Sequence, residues 1–154
     1  MGADAQELDI RHILNEDLID LDLQAKTKLE AIQSLIHMLF QNGCITNEDD
    51  FLKDVLFRER EGVTGLGQGV AIPHGKSVSV VKTSIAVGRT RTPIAWETLD
   101  EKPVTLIILF AVKHADSAKL HIKLLQRVAI LLADDEMIQH FQSIKTKEEL
   151  IDLL

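Results

Sequence analysis

The segment Val104–Val112 has the sequence Val-Thr-Leu-Ile-Ile-Leu-Phe-Ala-Val and is the longest nearly apolar run in the chain. Nine residues of this kind are too few to cross a bilayer as a helix. Side chains that are apolar at successive positions are typical of a strand covered on both faces. We therefore predict that this segment is a central strand of a sheet packed between helices.

Helix signals occur on both sides of this strand. Thr27 and Glu30 form a capping box, which predicts a helix that runs to about Gln41. Four further helices are expected, each beginning at a residue that can cap it: Thr46 or Asn47, Asp116 or Ser117, Asp134, and Thr146. Helices before and after buried strands predict a layered α/β domain.

The remaining strand signals are weaker. Ile19–Leu23 alternates apolar residues with aspartates, which predicts a short half-buried strand, and Ser84–Gly88 is rich in β-forming residues. The connection Arg89–Pro103 is expected to be a loop with turns. It is too poor in helix signals for a regular crossover, so the central β-sheet is expected to be mixed. Residues 1–9 are expected to form a loose N-terminal segment, and residues 10–154 a single domain.

The composition excludes several classes of function. The 154-residue chain carries a net charge of −7 and has no cluster of lysine and arginine, so nucleic acid and anionic membranes are poor candidates for a partner. Its N-terminus lacks the basic and apolar parts of a signal peptide. The single cysteine, Cys44, can form no internal disulfide. These features predict a cytoplasmic protein.

The segment Thr64–Lys76 carries the residues most suited to chemistry, with the sequence Thr-Gly-Leu-Gly-Gln-Gly-Val-Ala-Ile-Pro-His-Gly-Lys. Its glycines match neither a Walker A loop, which would need a glycine at Val70, nor the dinucleotide fingerprint. His74 stands between Pro73 and Gly75, which we interpret as a frame that keeps this histidine exposed. On the pattern alone, a glycine-rich turn with a surface histidine remains an alternative.

A neutral imidazole can attack phosphorus and hold the phosphoryl group as a phosphohistidine. Such a site needs N–H donors and cations for the phosphoryl oxygens. Backbone N–H groups near Gly67, Gly69 and Gly75 are candidates for the donors, and Arg58 and Lys76 for the charge. The charges that follow Arg58 at the end of the second helix otherwise predict a solvated last turn.

These motifs resemble the enzyme IIA component of the fructose/mannitol type in the bacterial phosphoenolpyruvate-dependent sugar phosphotransferase system. The similarity extends over nearly the whole chain, and its Ile72-Pro73-His74-Gly75 element is highly specific. Three sets of residues carry it: Arg58-Glu59 with Thr64 to Lys76; Ile94-x-Trp96-x-x-Leu99-Asp100-x-Lys102-Pro103-Val104; and His121-Ile122-x-Leu124-Leu125.

The resemblance implies a mixed sheet flanked by helices, the mannitol-type enzyme IIA fold. It implies that His74 accepts a phosphoryl group from the phosphocarrier HPr and passes it to a cysteine of enzyme IIB, with the membrane enzyme IIC an indirect partner. His121 would stabilise the phosphoryl group and Arg58 would balance its charge. The loop around the phosphoryl site would comprise five residues: Thr64, Gly67, Gly69, Gly75 and Lys76. No cofactor or metal is expected.

Two alternatives remain open. A regulatory protein of the same fold, like the nitrogen-related branch of the family, would act by binding partners according to its phosphorylation state. The Trp96 motif favours the sugar branch modestly. A small-ligand or metal-binding module could instead use His74, His114 and His121, although the six histidines lack a metal-like spacing such as His-x-x-x-His and His114 has no role in the family.

Overall fold

The computed structural model describes residues 10–114 and 117–154, and for residue 10, residues 117–122 and residues 124 and 125 it describes the backbone alone. The segment 1–9, expected to be loose, and the candidate helix cap Asp116 therefore lie outside the described residues. None of the described helices is both long and apolar enough to cross a membrane.

The sheet in the described part of the chain has six strands: β1 (Ile19–Asp20), β2 (Gly65–Gly67), β3 (Val70–Ala71), β4 (His74–Ser77), β5 (Ser84–Ile94) and β6 (Val104–Lys113). The strand order is β1-β5-β6-β3-β2, and β4 pairs with β6 beyond β3. β5 runs antiparallel to β6, whereas β3 and β4 run parallel to it. The mixed sheet predicted from the sequence is confirmed.

Helices accompany the sheet along the chain: α1 (Ile10–Ile13), α2 (Lys28–Gln41), α3 (Glu48–Glu61), α4 (Ser117–Leu132), α5 (Asp135–Ser143) and α6 (Lys147–Leu153). Short polar side chains cap α2, α3, α5 and α6 as predicted, because they accept hydrogen bonds from free backbone N–H groups of the first turn. Thr27 caps α2 by accepting from the N–H of Glu30, and Asn47 caps α3 by accepting from the N–H of Asp50. The α/β fold with a central mixed sheet flanked by helices is confirmed.

β6 is the centre of the sheet and of the hydrophobic core. Its residues from Leu106 to Val112 are all at most 1% exposed, as expected for a strand covered on both faces. Each large apolar side chain that is fully buried here contributes roughly 1.5–3 kcal/mol to folding. β6 therefore provides the rigid support on which the flanking short strands are placed.

The strand boundaries correct three of the sequence-based predictions. β5 continues to Ile94 through residues expected to form a loop, and an irregularity of register between Arg89 and Ile94 accommodates Pro93, which cannot donate to the ladder. The predicted strand Ile19–Leu23 is only two residues long. The segment 64–76, which the resemblance treats as a loop around the phosphoryl site, contributes β2, β3 and most of β4, because β3 and β4 pair with β6, a strand distant in sequence, and β2 pairs with β3.

Candidate functional site

His74 is the first residue of β4 and lies opposite Phe110 of β6. The carbonyl of Pro73 accepts a hydrogen bond from the N–H of Phe110, so the proline fixes the point where β4 joins the sheet. The ring of His74 packs near that of Phe110, with centroids 6.4 Å apart. His74 is only 8% exposed, so the prediction of an exposed histidine is wrong.

Hydrogen bonds on both sides of the ring fix its orientation and tautomer. Nδ1 lies 3.1 Å from the carbonyl oxygen of Ile72, and because that oxygen can only accept, Nδ1 carries the hydrogen. On the other side, the Nε–H of Arg58 donates to Nε2 over 3.1 Å. Nε2 therefore keeps its lone pair and is the nucleophilic atom of this ring.

The surroundings of His74 favour its neutral form. Burial lowers the pKa of His74 below its ordinary value of 6.5, and the positive charge of Arg58 lowers it further. The hydrogen bond to the carbonyl of Ile72 and the charge of Glu59 act in the opposite direction without reversing the shift. The ring is therefore unprotonated at neutral pH, as a nucleophile must be.

Arg58 reaches the site from the last turn of α3. Its Nη1 donates to the carbonyl oxygen of Gly62 over 3.1 Å, which anchors the guanidinium at the end of the helix. The planar fork of an arginine matches the oxygens of a phosphoryl group, and its charge persists at every physiological pH. The structure thus brings together His74 and Arg58, two residues that the sequence selected separately.

Two charged residues near the site, Glu59 and Lys28, were given no role from the sequence. Glu59 was expected on a solvated last turn, yet its side chain is only 6% exposed, and the ammonium of Lys28 lies 2.6 Å from its Oε1. The hydroxyl of Thr64 donates to its Oε2 over 2.5 Å. The local run of charges gave no sign of this arrangement, because Lys28 comes from α2.

Gly67 and Gly69 lie at the tip of the β2–β3 hairpin, and their φ values of +114° and +85° require glycine there. The side chain of Asp100 accepts from the N–H of Gln68 and so fixes the tip. Val70 pairs with Leu106, whereas His74 pairs with Phe110, four residues along β6. The rise of a strand makes this separation about 13 Å, so the hairpin tip and His74 are not brought together.

Gly75 and Lys76 follow His74 on β4 with different surroundings. A Cβ placed on Gly75 would stand 2.9 Å from atoms of both Phe51 and Val55. Glycine at this position therefore allows β4 to pack closely against α3, the helix that carries Arg58. Lys76 is exposed, and the strand's alternation places it on the same face as His74.

The two other candidate histidines are His114 and His121. His114 is exposed just beyond the end of β6. His121 belongs to α4, but its side chain lies outside the part that the structure describes. Among the described residues, no three of histidine, cysteine, aspartate and glutamate are grouped so that they could hold a metal ion.

Comparison with known proteins gives consistent matches over almost the whole chain. The family model "Phosphoenolpyruvate-dependent sugar phosphotransferase system, EIIA 2" matches residues 12–154. The 2-O-alpha-mannosyl-D-glycerate-specific EIIABC component of Escherichia coli is 33% identical over 148 residues, which are 96% of this chain and 22% of that protein. The chain thus spans less than a quarter of the length of that relative.

Solved structures agree in fold. The nitrogen regulatory protein IIA-Ntr from Neisseria meningitidis superposes with a TM-score of 0.84 at 30% identity, covering 92% of this chain and 95% of that one. The enzyme IIA of mannitol from Escherichia coli, solved in complex with phosphorylated enzyme IIB, gives a TM-score of 0.75 at 24% identity, covering 91% and 95% of the two chains. The second likeness concerns the fold alone.

Proposed function

Since the chain belongs to the EIIA 2 family of the phosphoenolpyruvate-dependent sugar phosphotransferase system, whose members are phosphotransferase components, we propose that Nε2 of His74 accepts a phosphoryl group from phospho-HPr and passes it to a cysteine of an enzyme IIB. One observation carries the proposal. The Nδ1–H of His74 is held by the carbonyl of Ile72, so the lone pair of Nε2 points toward the guanidinium of Arg58.

In the first transfer, the lone pair of Nε2 attacks phosphorus while the bond from phosphorus to the donor breaks and the donor keeps that electron pair. Arg58 must give up its hydrogen bond to Nε2, because the lone pair that it occupies becomes the new bond. Its N–H groups then face the phosphoryl oxygens and balance their charge. Phosphoryl transfer in proteins depends mainly on this kind of positioning and charge stabilisation.

The hydrogen on Nδ1 prepares the second transfer. While this hydrogen remains on Nδ1, the phosphorylated ring carries a positive charge. When a thiolate attacks phosphorus, the bond from phosphorus to Nε2 breaks and the ring leaves as a neutral imidazole. The carbonyl of Ile72 holds that hydrogen throughout, so no proton has to be exchanged at the site. By the family resemblance, His121 assists by stabilising the phosphoryl group from α4.

We propose further that residues 10–154 form the whole phosphotransfer unit, that the chain works in the cytoplasm, and that enzyme IIC is reached only through enzyme IIB. The related mannitol enzyme IIA, solved with phosphorylated enzyme IIB, supports the choice of acceptor. The burial of His74 also supports a protein donor and acceptor, because a docked partner can exclude water from the small part of the residue that is exposed.

The test is labelling with phosphoenolpyruvate that carries ³²P, in the presence of enzyme I and HPr. The protein should take up label, and His74→Ala should abolish the uptake. His140→Ala is the matched control, because His140 is exposed on α5 and should label like the unaltered protein. Absence of label on the folded, unaltered protein would refute the proposal.

A second candidate is a regulatory role in which phosphorylation decides which partner binds. The structural similarity to the nitrogen regulatory protein of Neisseria meningitidis favours it, since that match combines a TM-score of 0.84 with 30% identity. Both roles require a phosphoryl group on His74, so the labelling experiment does not separate them. Transfer of label from this chain to a purified fructose-type enzyme IIB separates them: rapid transfer supports the sugar branch, and retention of the label supports the regulatory one.

A further inference from the structure

A chain of hydrogen bonds connects the start of α2 to the Nδ1 side of the His74 ring. The ammonium of Lys28 lies 2.6 Å from Oε1 of Glu59, and the hydroxyl of Thr64 donates to Oε2. The carbonyl of Thr64 accepts from the N–H of Ile72 over 3.0 Å. Ile72 is the residue whose carbonyl orients His74. The ion pair between Lys28 and Glu59 is thus joined to the proposed phosphoryl site.

Both members of this ion pair are held firmly. The side chain of Glu59 is 6% exposed and that of Lys28 is 23% exposed. Burial opposes the charge on Lys28, but hydrogen bonds to Glu59 and Glu97 outweigh it and raise its pKa. The ammonium also lies 5.1 Å from the ring centroid of Trp96. Lys28 is therefore charged, and it offsets the buried carboxylate of Glu59. Its second partner, Glu97, approaches to 2.9 Å but is 73% exposed, so water screens that carboxylate more strongly.

The balance matters because the site gains negative charge when it works. A phosphoryl group brings a charge of about −1.5 to −2 and is placed next to Arg58. Glu59, the next residue along α3, would repel that charge, and Lys28 offsets the repulsion. We propose that Lys28 and Glu59 form a charge-balancing pair that sets how strongly the site holds the phosphoryl group on His74. This inference rests on the proposed function of His74.

The electrostatic role and a merely structural one predict different signs. If the pair only supported the contacts from Thr64 to Ile72 that orient His74, the loss of either partner would weaken phosphorylation. If it balances charge, Lys28→Met leaves an extra negative charge and weakens the phosphorylated state, whereas Glu59→Gln removes a negative charge and strengthens it. Glutamine keeps the volume of Glu59 and can still accept from the hydroxyl of Thr64.

The measurement is the equilibrium constant for phosphoryl exchange between HPr and this protein, obtained from the ³²P on each partner at equilibrium. Lys28→Met should shift it toward phospho-HPr by about three- to tenfold, and Glu59→Gln should shift it by a similar factor the other way, as one unbalanced charge near a doubly charged group does in a partly screened site. The double variant should return to within about twofold of the unaltered protein. Lys28→Arg keeps the positive charge, so its equilibrium constant should also stay within about twofold of that of the unaltered protein.

The matched controls come from an ion pair at the far edge of the sheet. Arg91 and Asp22 approach to 2.8 Å with Arg91 83% exposed, and Asp22 follows β1, which β5 and β6 separate from β4. Arg91→Met and Asp22→Asn change the net charge by the same amounts as the two test variants. Each should move the equilibrium by less than about twofold, because water and salt screen distant surface charges.

The outcomes are distinguishable. The charge-balancing role is supported if Lys28→Met and Glu59→Gln shift the equilibrium in opposite directions and the two shifts cancel in the double variant. Shifts of the same sign, or no shift in variants that retain the unfolding transition of the unaltered protein, overturn it while the proposed function stands. If the unaltered protein takes up no label at all, the proposed function fails, and this inference falls with it.

Discussion

Gly75→Ala is the substitution that most directly tests how the packing of β4 against α3 controls the site. A Cβ at this position would lie 2.9 Å from Cε1 of Phe51 and 2.9 Å from Cγ2 of Val55. Carbon atoms in contact normally stand about 3.5–4.0 Å apart, so the two elements must separate by roughly 0.6–1 Å. Phe51 and Val55 are 0% exposed, and neither can turn aside into solvent.

Two effects of known size follow from this displacement. Overpacking of this kind costs roughly 1–3 kcal/mol in the free energy of unfolding. Since α3 carries Arg58, the same displacement alters the 3.1 Å contact between Arg58 and His74. A misplacement of about 1 Å at a reacting centre can cost on the order of a hundredfold in rate. We expect phosphoryl uptake to slow by about ten- to a hundredfold in a protein that remains folded.

The assays are urea unfolding and the initial rate of ³²P uptake from phospho-HPr. Val78→Ala is the control, because Val78 lies just beyond the end of β4 and is 82% exposed, and it should change stability by less than about 0.5 kcal/mol and leave the rate unchanged. Adding Val55→Ala to Gly75→Ala removes one of the clashing methyl groups and should recover part of both losses. If Gly75→Ala leaves both stability and rate unchanged, the close packing of β4 on α3 does not position the site.

Three further predictions concern individual side chains of the site. Arg58→Lys keeps a charge but loses the planar fork, so uptake of label should fall by about tenfold or more with little change in unfolding. Thr64→Val leaves the buried carboxylate of Glu59 without its hydroxyl donor and should cost roughly 1–3 kcal/mol in urea unfolding. Burial lowers the pKa of His74, so the unfolded chain binds a proton first as the pH falls. The free energy of unfolding of the unaltered protein should therefore decline relative to that of His74→Gln below pH 6.5. Above pH 6.5 the difference between the two should be constant, as measured by unfolding across that range.

The features that the sequence predicted well are those decided locally. The caps Thr27 and Asn47 lie within a few residues of the N–H groups that they bind, so their motif carries the whole interaction. The apolar run of β6 likewise needs no knowledge of its partners to be recognised as buried. These two kinds of signal suffice to define the layers of the fold.

The features that the sequence did not predict depend on contacts between distant residues. β3 is only two residues long, and it is a strand because it pairs with β2 on one side and with the distant β6 on the other. The charges at the end of α3 have the pattern of a solvated turn, whereas the side chain of Glu59 is buried against Lys28 from another helix and Thr64 from the segment that follows. His74 was expected to be exposed because glycine and proline flank it, whereas its ring packs near Phe110 of β6 and contacts Arg58 of α3, both distant in sequence.

The central claim is that Nε2 of His74 carries the phosphoryl group while Nδ1 keeps its hydrogen. The most direct measurement is an NMR spectrum of the phosphorylated protein with ¹⁵N-labelled histidine, in which coupling to ³¹P identifies the bonded nitrogen. We expect coupling at Nε2 of His74 alone and a retained hydrogen at Nδ1. Coupling at Nδ1, or a phosphoryl group on any other residue, would contradict the claim.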